Sequence, residues 1–211
     1  MNPVEIRGLP QSNYVWATRI ALTEKGVPYE LVTAAPHSAE LNAIHPLGKM
    51  PVMRHGDVTL FESNAILTYI DKAFPGPALA PTDALGAAQV QQWISLVNTA
   101  VDPAIVRAYI LAYIFPSGPD KKPDRARIDA ALPNIEKMLD ILDKAVAKTG
   151  YLVGNSFTLA DINLIPIVAG ASRFPESSAA LAKRGHLMKY LQTQMARSSV
   201  QATIPPAPTS K

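Results

Sequence analysis

Three short clusters in the chain hold residue types that can bind a small polar ligand or activate one. The first is Pro10, Gln11, Ser12 and Asn13, which break an apolar segment just before a helical pattern. A hydroxyl at a helix start, from Ser12 or from Tyr14 two residues on, can donate to an anion that the helix dipole also favours. The second is Glu62–Ser63, which falls where a strand gives way to a helix. Helix N–H groups with a Ser hydroxyl suit a carboxylate, and the neighbouring Glu62 suits an ammonium, so together they suit a zwitterionic amino-acid head. Both clusters also fit plain helix caps without chemistry. The third is His45 to Met53, HPLGKMPVM, in which Pro51 opens a strand although proline has no N–H for a sheet ladder.

Other chemistries lack their residues. There is no cysteine, which excludes disulfides, protein thiolates and Cys-ligated zinc. The four histidines, His37, His45, His55 and His186, have no metal-ligand spacing. No glycine-rich phosphate loop occurs, and GNSF lacks the flanks of a hydrolase elbow. Net charge is +3 with 18% charged residues and no dense Lys/Arg run, which fits small anionic ligands and does not suggest nucleic acid. The start, MNPVEIRGLP, has neither a basic nor an apolar signal-peptide region. No uninterrupted apolar run approaches the roughly 18 residues of a membrane span, so no membrane association and a cytoplasmic location are expected.

The elements that must position these clusters come in two groups. VEIRGL reads as a strand, YVWATRIALTEKG as a helix ending at Gly26, YELVT as a second strand and SAELNAI as a short helix. PVMRH and VTLFE flank Gly56–Asp57, a hairpin signal, and ESNAILTYIDKAF is an amphipathic helix. The order βαβαββα predicts one α/β unit over residues 1–76, with the first two strands parallel. A Pro/Gly-rich linker, 77–84, follows. Residues 85–211 read as all-helical: a long helix with a kink at Pro103, a helix over RARIDAALPNIEKMLDILDKAVAKTG, a nearly all-apolar helix over TLADINLIPIVAGAS, and a last helix over HLMKYLQTQMARS. The tail IPPAPTSK is expected to fray. Thr158 and Asp161 form a capping box before the apolar helix, with Phe157 and Ile162 as its hydrophobic staple.

Taken together, SNYVWATRIALTEKGVPYELV, HPLGKMPV, FESNAI and NSFTLADI resemble the cytosolic glutathione S-transferase family, specifically its bacterial-type, serine-class members. The second stretch is similar to the family's N-P-x-G-K-x-P loop, with His45 where Asn is common. The resemblance implies a thioredoxin-like first domain, an all-helical second domain and a homodimer. It implies glutathione as co-substrate, no metal, and activation of its thiol for transfer to apolar electrophiles. By residue, it makes Pro51 a cis-proline and gives the backbone of Met50 to the cysteinyl part of glutathione. It sets Glu62 and Ser63 on the γ-glutamyl head and Lys49 and His37 near the glycyl carboxylate. Ser12 points at the sulfur, with Asn13 and Tyr14 as alternatives. An electrophile pocket between the domains would draw on Pro10, Arg107, Tyr109 and Tyr113. A glutathione-dependent isomerase, dehalogenase, ether-cleaving enzyme or peroxidase, or a binding module without chemistry, are alternatives on the same fold.

Overall fold

The structure, a computed structural model, describes residues 3–206; positions 207–211 of the tail expected to fray lie outside them. The described residues divide into two compact units, 3–81 with 196–206, and 82–195. The segment after residue 195 thus belongs to the first unit.

The first unit contains β1 (Val4–Arg7), α1 (Asn13–Glu24), β2 (Tyr29–Val32), α2 (Ala39–Asn42), β3 (Val52–His55), β4 (Val58–Phe61) and α3 (Ser63–Ala73). This is the thioredoxin-like order. The sheet runs β2-β1-β3-β4, with β1 parallel to β2 and antiparallel to β3. Its apolar residues Val4, Ile6, Val52 and Met53 are buried, as are Val15, Ile20, Ala21 and Leu22 of α1 and Ile66, Leu67 and Ile70 of α3. On α2, Leu41 joins Ala34 and Val52 in a small cluster against which Ile44 and Met50 pack.

The second unit is helical. Helix α4 (Ala84–Leu96) continues through π-helical turns at Val97–Val101 and Pro103–Ile110 into α5 (Leu111–Ile114). Where the sequence predicts a kink at Pro103, the ladder widens: Asp102 N–H reaches Val97 O and Leu111 N–H reaches Val106 O. A proline that cannot donate and crowds the carbonyl before it is accommodated by such a turn. The continuous helix Ala84–Ile114 has 31 residues and is long and apolar enough to cross a membrane by length and composition. A buried core helix passes the same test, and polar residues interrupt every apolar run within this one. In its unit this helix packs against α6 (Arg125–Val146) and α7 (Leu159–Ala171). Two helices escaped the sequence reading: α8 (Pro175–Ala182), with Pro175 at its start and Glu176 in its first turn, and α10 (Ser198–Gln201) of the first unit. Helix α9 (Gly185–Met195) lies between them in the sequence.

Candidate active site

Sheet register sets the site. Val52, the first residue of β3, pairs with Arg7, the last of β1, and with Phe61, the last of β4. Arg7 also pairs with Val32, the last residue of β2. The segments leaving β1, β2 and β4 and the one entering β3 therefore emerge at one end of the sheet. Those four segments carry Pro10 and Ser12, His37, Glu62–Ser63, and Lys49–Pro51 respectively. In an α/β unit this is the end where ligands bind.

Ser12 is the N-cap of α1, with extended backbone. Its N–H donates to Leu9 O at 3.0 Å and its C=O accepts Trp16 N–H at 2.9 Å. Its Oγ accepts Val15 N–H at 3.5 Å, the long limit of such a bond. Capping and chemistry are compatible here, because accepting an N–H uses a lone pair and leaves the O–H to donate. The alternatives Asn13 and Tyr14 occupy the first two positions of α1 and are half-buried, as is Pro10.

The Met50–Pro51 bond is cis. Both ladders of β3 begin at Val52, so Met50 lies ahead of them. The β1–α1 turn passes close by: Leu9 N–H lies 3.1 Å from Met50 Sδ. A Cβ on Gly8 would stand 2.6 Å from Val15 Cγ2 and 3.0 Å from Met50 Cβ, so the approach needs glycine. Lys49 is exposed and Pro51 buried.

Glu62 has φ 67° and ψ 117°. A non-glycine residue held there costs about 1–3 kcal/mol, a cost often found at functional sites. Its side chain is 64% exposed, and Oε1 lies 3.4 Å from Nε2 of the buried His45. His45 Nδ1 accepts Leu47 N–H at 3.0 Å, so in the neutral ring the proton sits on Nε2 and faces Glu62. Ser63 is the buried first residue of α3. His37, exposed and with φ 62°, closes its loop by donating N–H to Gly48 O at 2.7 Å and accepting Asn42 Nδ2 at 2.9 Å.

The electrophile-pocket candidates from the second unit fare differently. Arg107 is exposed, and its Nε donates to Asp102 Oδ2 at 2.8 Å. Tyr109 is fully buried, which corrects its placement as a pocket-lining residue. Helical spacing could not show this, because the phenol is enclosed by residues far along the chain. Its hydroxyl donates to Glu176 Oε2 at 2.8 Å and accepts Ser177 N–H at 3.1 Å. The half-buried Tyr113 donates to the same Glu176 oxygen, and Arg125 donates to the other at 2.6 Å. Burial alone would raise the Glu176 pKa; donation from Tyr113, Arg125 and Tyr109 outweighs it and holds it at about 2. Burial, with Glu176 beside it, pushes the Tyr113 phenol well up.

Comparison with known proteins identifies the family. Family profiles described as glutathione S-transferase, N-terminal domain, and glutathione S-transferase, C-terminal domain, match residues 7–78 and 103–198. Glutathione S-transferase 3 of Zea mays is 31% identical, with 100% of this chain and 99% of that one aligned. The chain belongs to the glutathione S-transferase family. The crystal structure of poplar glutathione transferase F1 superposes with a TM-score of 0.86 at 26% identity, covering 97% of each chain. A glutathione S-transferase from Methylobacterium radiotolerans, solved with glutathione sulfonate, gives 0.81 at 27% identity over 99% of this chain and 98% of that one.

Within this glutathione S-transferase fold, two contributors at the sheet end were not assigned a role from sequence. His45 was legible only as a departure from the family loop; that it faces Glu62, 17 positions on, depends on the fold. Asn42 leaves no room at Gly48, where a Cβ would fall 2.1 Å from its Oδ1. No group of three or more His, Cys, Asp or Glu able to hold a metal occurs among the described residues.

Proposed function

We propose that this chain is a glutathione transferase that binds glutathione at the shared sheet end and uses Ser12 to hold its sulfur as thiolate. The observation that carries this reading is the register at Val52, which sets the Ser12 turn, the Met50–Pro51 segment and Glu62–Ser63 side by side. Glutathione lies as an extended peptide along Met50, whose N–H and C=O stand ahead of the ladders. The ammonium of the γ-glutamyl head meets Glu62, and its carboxylate meets the α3 N-terminus and Ser63. Lys49, with His37 beside it, takes the glycyl carboxylate. These contacts leave the thiol near Ser12.

A free thiol has a pKa near 8.5, and only its thiolate is a good nucleophile. The Ser12 O–H donates to the sulfur while the α1 N-terminus stabilises the negative charge, and both lower the thiol pKa. The thiolate then forms the C–S bond to an apolar electrophile, and the leaving group departs with the displaced electron pair. Arg107, Tyr113 and Pro10 are the remaining candidates for contact with that electrophile. The glutathione-binding role belongs to residues 1–76 and electrophile binding to 85–211, joined by 77–84.

The serine-class assignment rests on Ser12 and its capping geometry; the bacterial-type assignment is supported by the Methylobacterium relative and opposed by the Zea mays and poplar ones. A homodimer acting on the cytoplasmic glutathione pool completes the proposal, and sedimentation should return twice the 22.7 kDa of one chain. The decisive test is Ser12→Ala. It should keep glutathione binding and raise the bound-thiol pKa by about one unit, tenfold in thiolate at a pH below both values. Full activity on an aryl halide in that variant would hand the role to Asn13, Tyr14 or a backbone N–H.

A further inference from the structure

The first unit is joined by chain that returns from far along the sequence. Thr203 Oγ1 accepts Trp16 Nε1–H at 3.0 Å and donates to the carbonyls of Ser199 and Val200 at 2.8 and 3.2 Å. Thr203 is 1% exposed, Trp16 4% and Val200 fully buried. At the other end of α1, Arg197 grips Glu24 with Nε and Nη2 at 3.1–3.2 Å, and Ser199 Oγ donates to the same carboxylate. The α10 segment therefore holds α1 at two points eight residues apart, about 12 Å along the helix.

The two points differ in what they fix. Glu24 is the last residue of α1, remote from its N-terminus. Trp16 is in the first turn, and its own N–H holds the Ser12 carbonyl at 2.9 Å. A continuous path thus runs from the Thr203 hydroxyl through the Trp16 indole and backbone to Ser12. Close by, Gly8 leaves no spare space between Val15 and Met50, so a small tilt of the first turn changes the distance from Ser12 Oγ to anything lying along Met50. The Thr203 hydroxyl accepts the indole N–H and donates back to its own segment at once, which an isosteric valine cannot do.

We propose that Thr203 is a positioning residue for Ser12: through Trp16 it sets the first turn of α1 and so the hydrogen bond from Ser12 to the glutathione sulfur. The inference rests on the reading of Ser12 given above. Its measurement is ultraviolet titration of the bound glutathione thiolate in the full-length protein. Thr203→Val keeps the shape and removes the hydroxyl. It should raise the bound-thiol pKa by about 0.5 unit and lower turnover about threefold below the wild-type value, with KM for glutathione changed less than about twofold. Thr203→Ser, which restores the hydroxyl, should return the wild-type pKa. Glu24→Gln loosens only the far anchor and should lower the melting temperature without moving the thiol pKa.

A Thr203→Val protein that melts earlier but titrates like wild type overturns the proposal, and so does an equal shift in Glu24→Gln. If Thr203→Val does not fold, Trp16→Phe removes the same hydrogen bond from the donor side and is read identically. Failure of the Ser12 reading is recognised separately: Ser12→Ala then leaves the thiol pKa unmoved, which withdraws this inference with it. A shift in Ser12→Ala without one in Thr203→Val counts against the Thr203 role alone.

Discussion

Glu62 shows, at the scale of a single residue, how position and chemistry are traded. Its φ of 67° would suit glycine, yet a carboxylate stands there, 3.4 Å from His45. Replacing it tests whether the side chain or the backbone matters. Glu62→Gly should leave the melting temperature unchanged or raise it, because relief of about 1–3 kcal/mol of strain offsets glycine's loss of about 0.5–1 kcal/mol in chain entropy. The same change should raise KM for glutathione about tenfold, as expected for about 1.4 kcal/mol of lost pairing with an ammonium. A lower melting temperature together with unchanged KM would mean that Glu62 serves the fold alone. His45→Leu probes its partner: without the buried Nε2–H opposite Glu62, glutathione KM should rise, though less than for Glu62→Gly.

Two helix starts in the second unit make opposite predictions for acid. At the start of α7, Asp161 is fully buried and its carboxylate accepts from Leu152 N–H, Thr158 N–H, Thr158 Oγ1 and Tyr190 OH at 3.0–3.2 Å. Burial nevertheless raises its pKa from 3.8 to about 6. The folded state therefore binds a proton that the unfolded chain has lost, and stability from this group falls as pH rises from about 4 to 6. The cost of Asp161→Asn in urea unfolding should be greatest near pH 4 and shrink by up to about 3 kcal/mol by pH 6.5. Glu176, held at about 2 by its three donors, has the reverse sign. Its stabilisation is present above the ordinary carboxylate range and lost as pH falls from about 4.5 towards 2, so Glu176→Gln should flatten the acid limb of the same curve. The capping box itself was legible, since Thr158 and Asp161 are three residues apart; Leu152 and Tyr190, which complete it, were not.

For the whole chain, the return of 196–206 to the first unit matters most. A chain ending at Met195 should lose the acceptor for the Trp16 indole and the partner of Glu24. Its melting temperature should drop, and its tryptophan emission should shift to the red as Trp16 meets water. An unchanged spectrum would mean that Trp16 is buried without that segment. Sequence reading assigned this segment to the helical half because it follows a helix there. Nothing within a local window marks Thr203 as the partner of a tryptophan 187 positions earlier.

By itself the sequence determined the βαβαββα order of residues 1–76, the hairpin at Gly56–Asp57, the capping box and the family, since each depends on periodicity, turn chemistry or short spacings within a few residues. It also marked Ser12, Pro51 and Glu62–Ser63 as residues of interest, while local pattern at Ser12 and Glu62–Ser63 favoured plain capping over chemistry. Tertiary structure alone decided that these three segments share one sheet end, because that follows from strand pairing at Val52. It also decided that Tyr109 is enclosed while Arg107 is exposed, that His45 faces Glu62, and that the last described turn holds α1. The physical reason is the same in each case: hydrogen bonds and burial between residues distant in sequence depend on which surfaces the packed chain brings together, and local pattern carries no record of that.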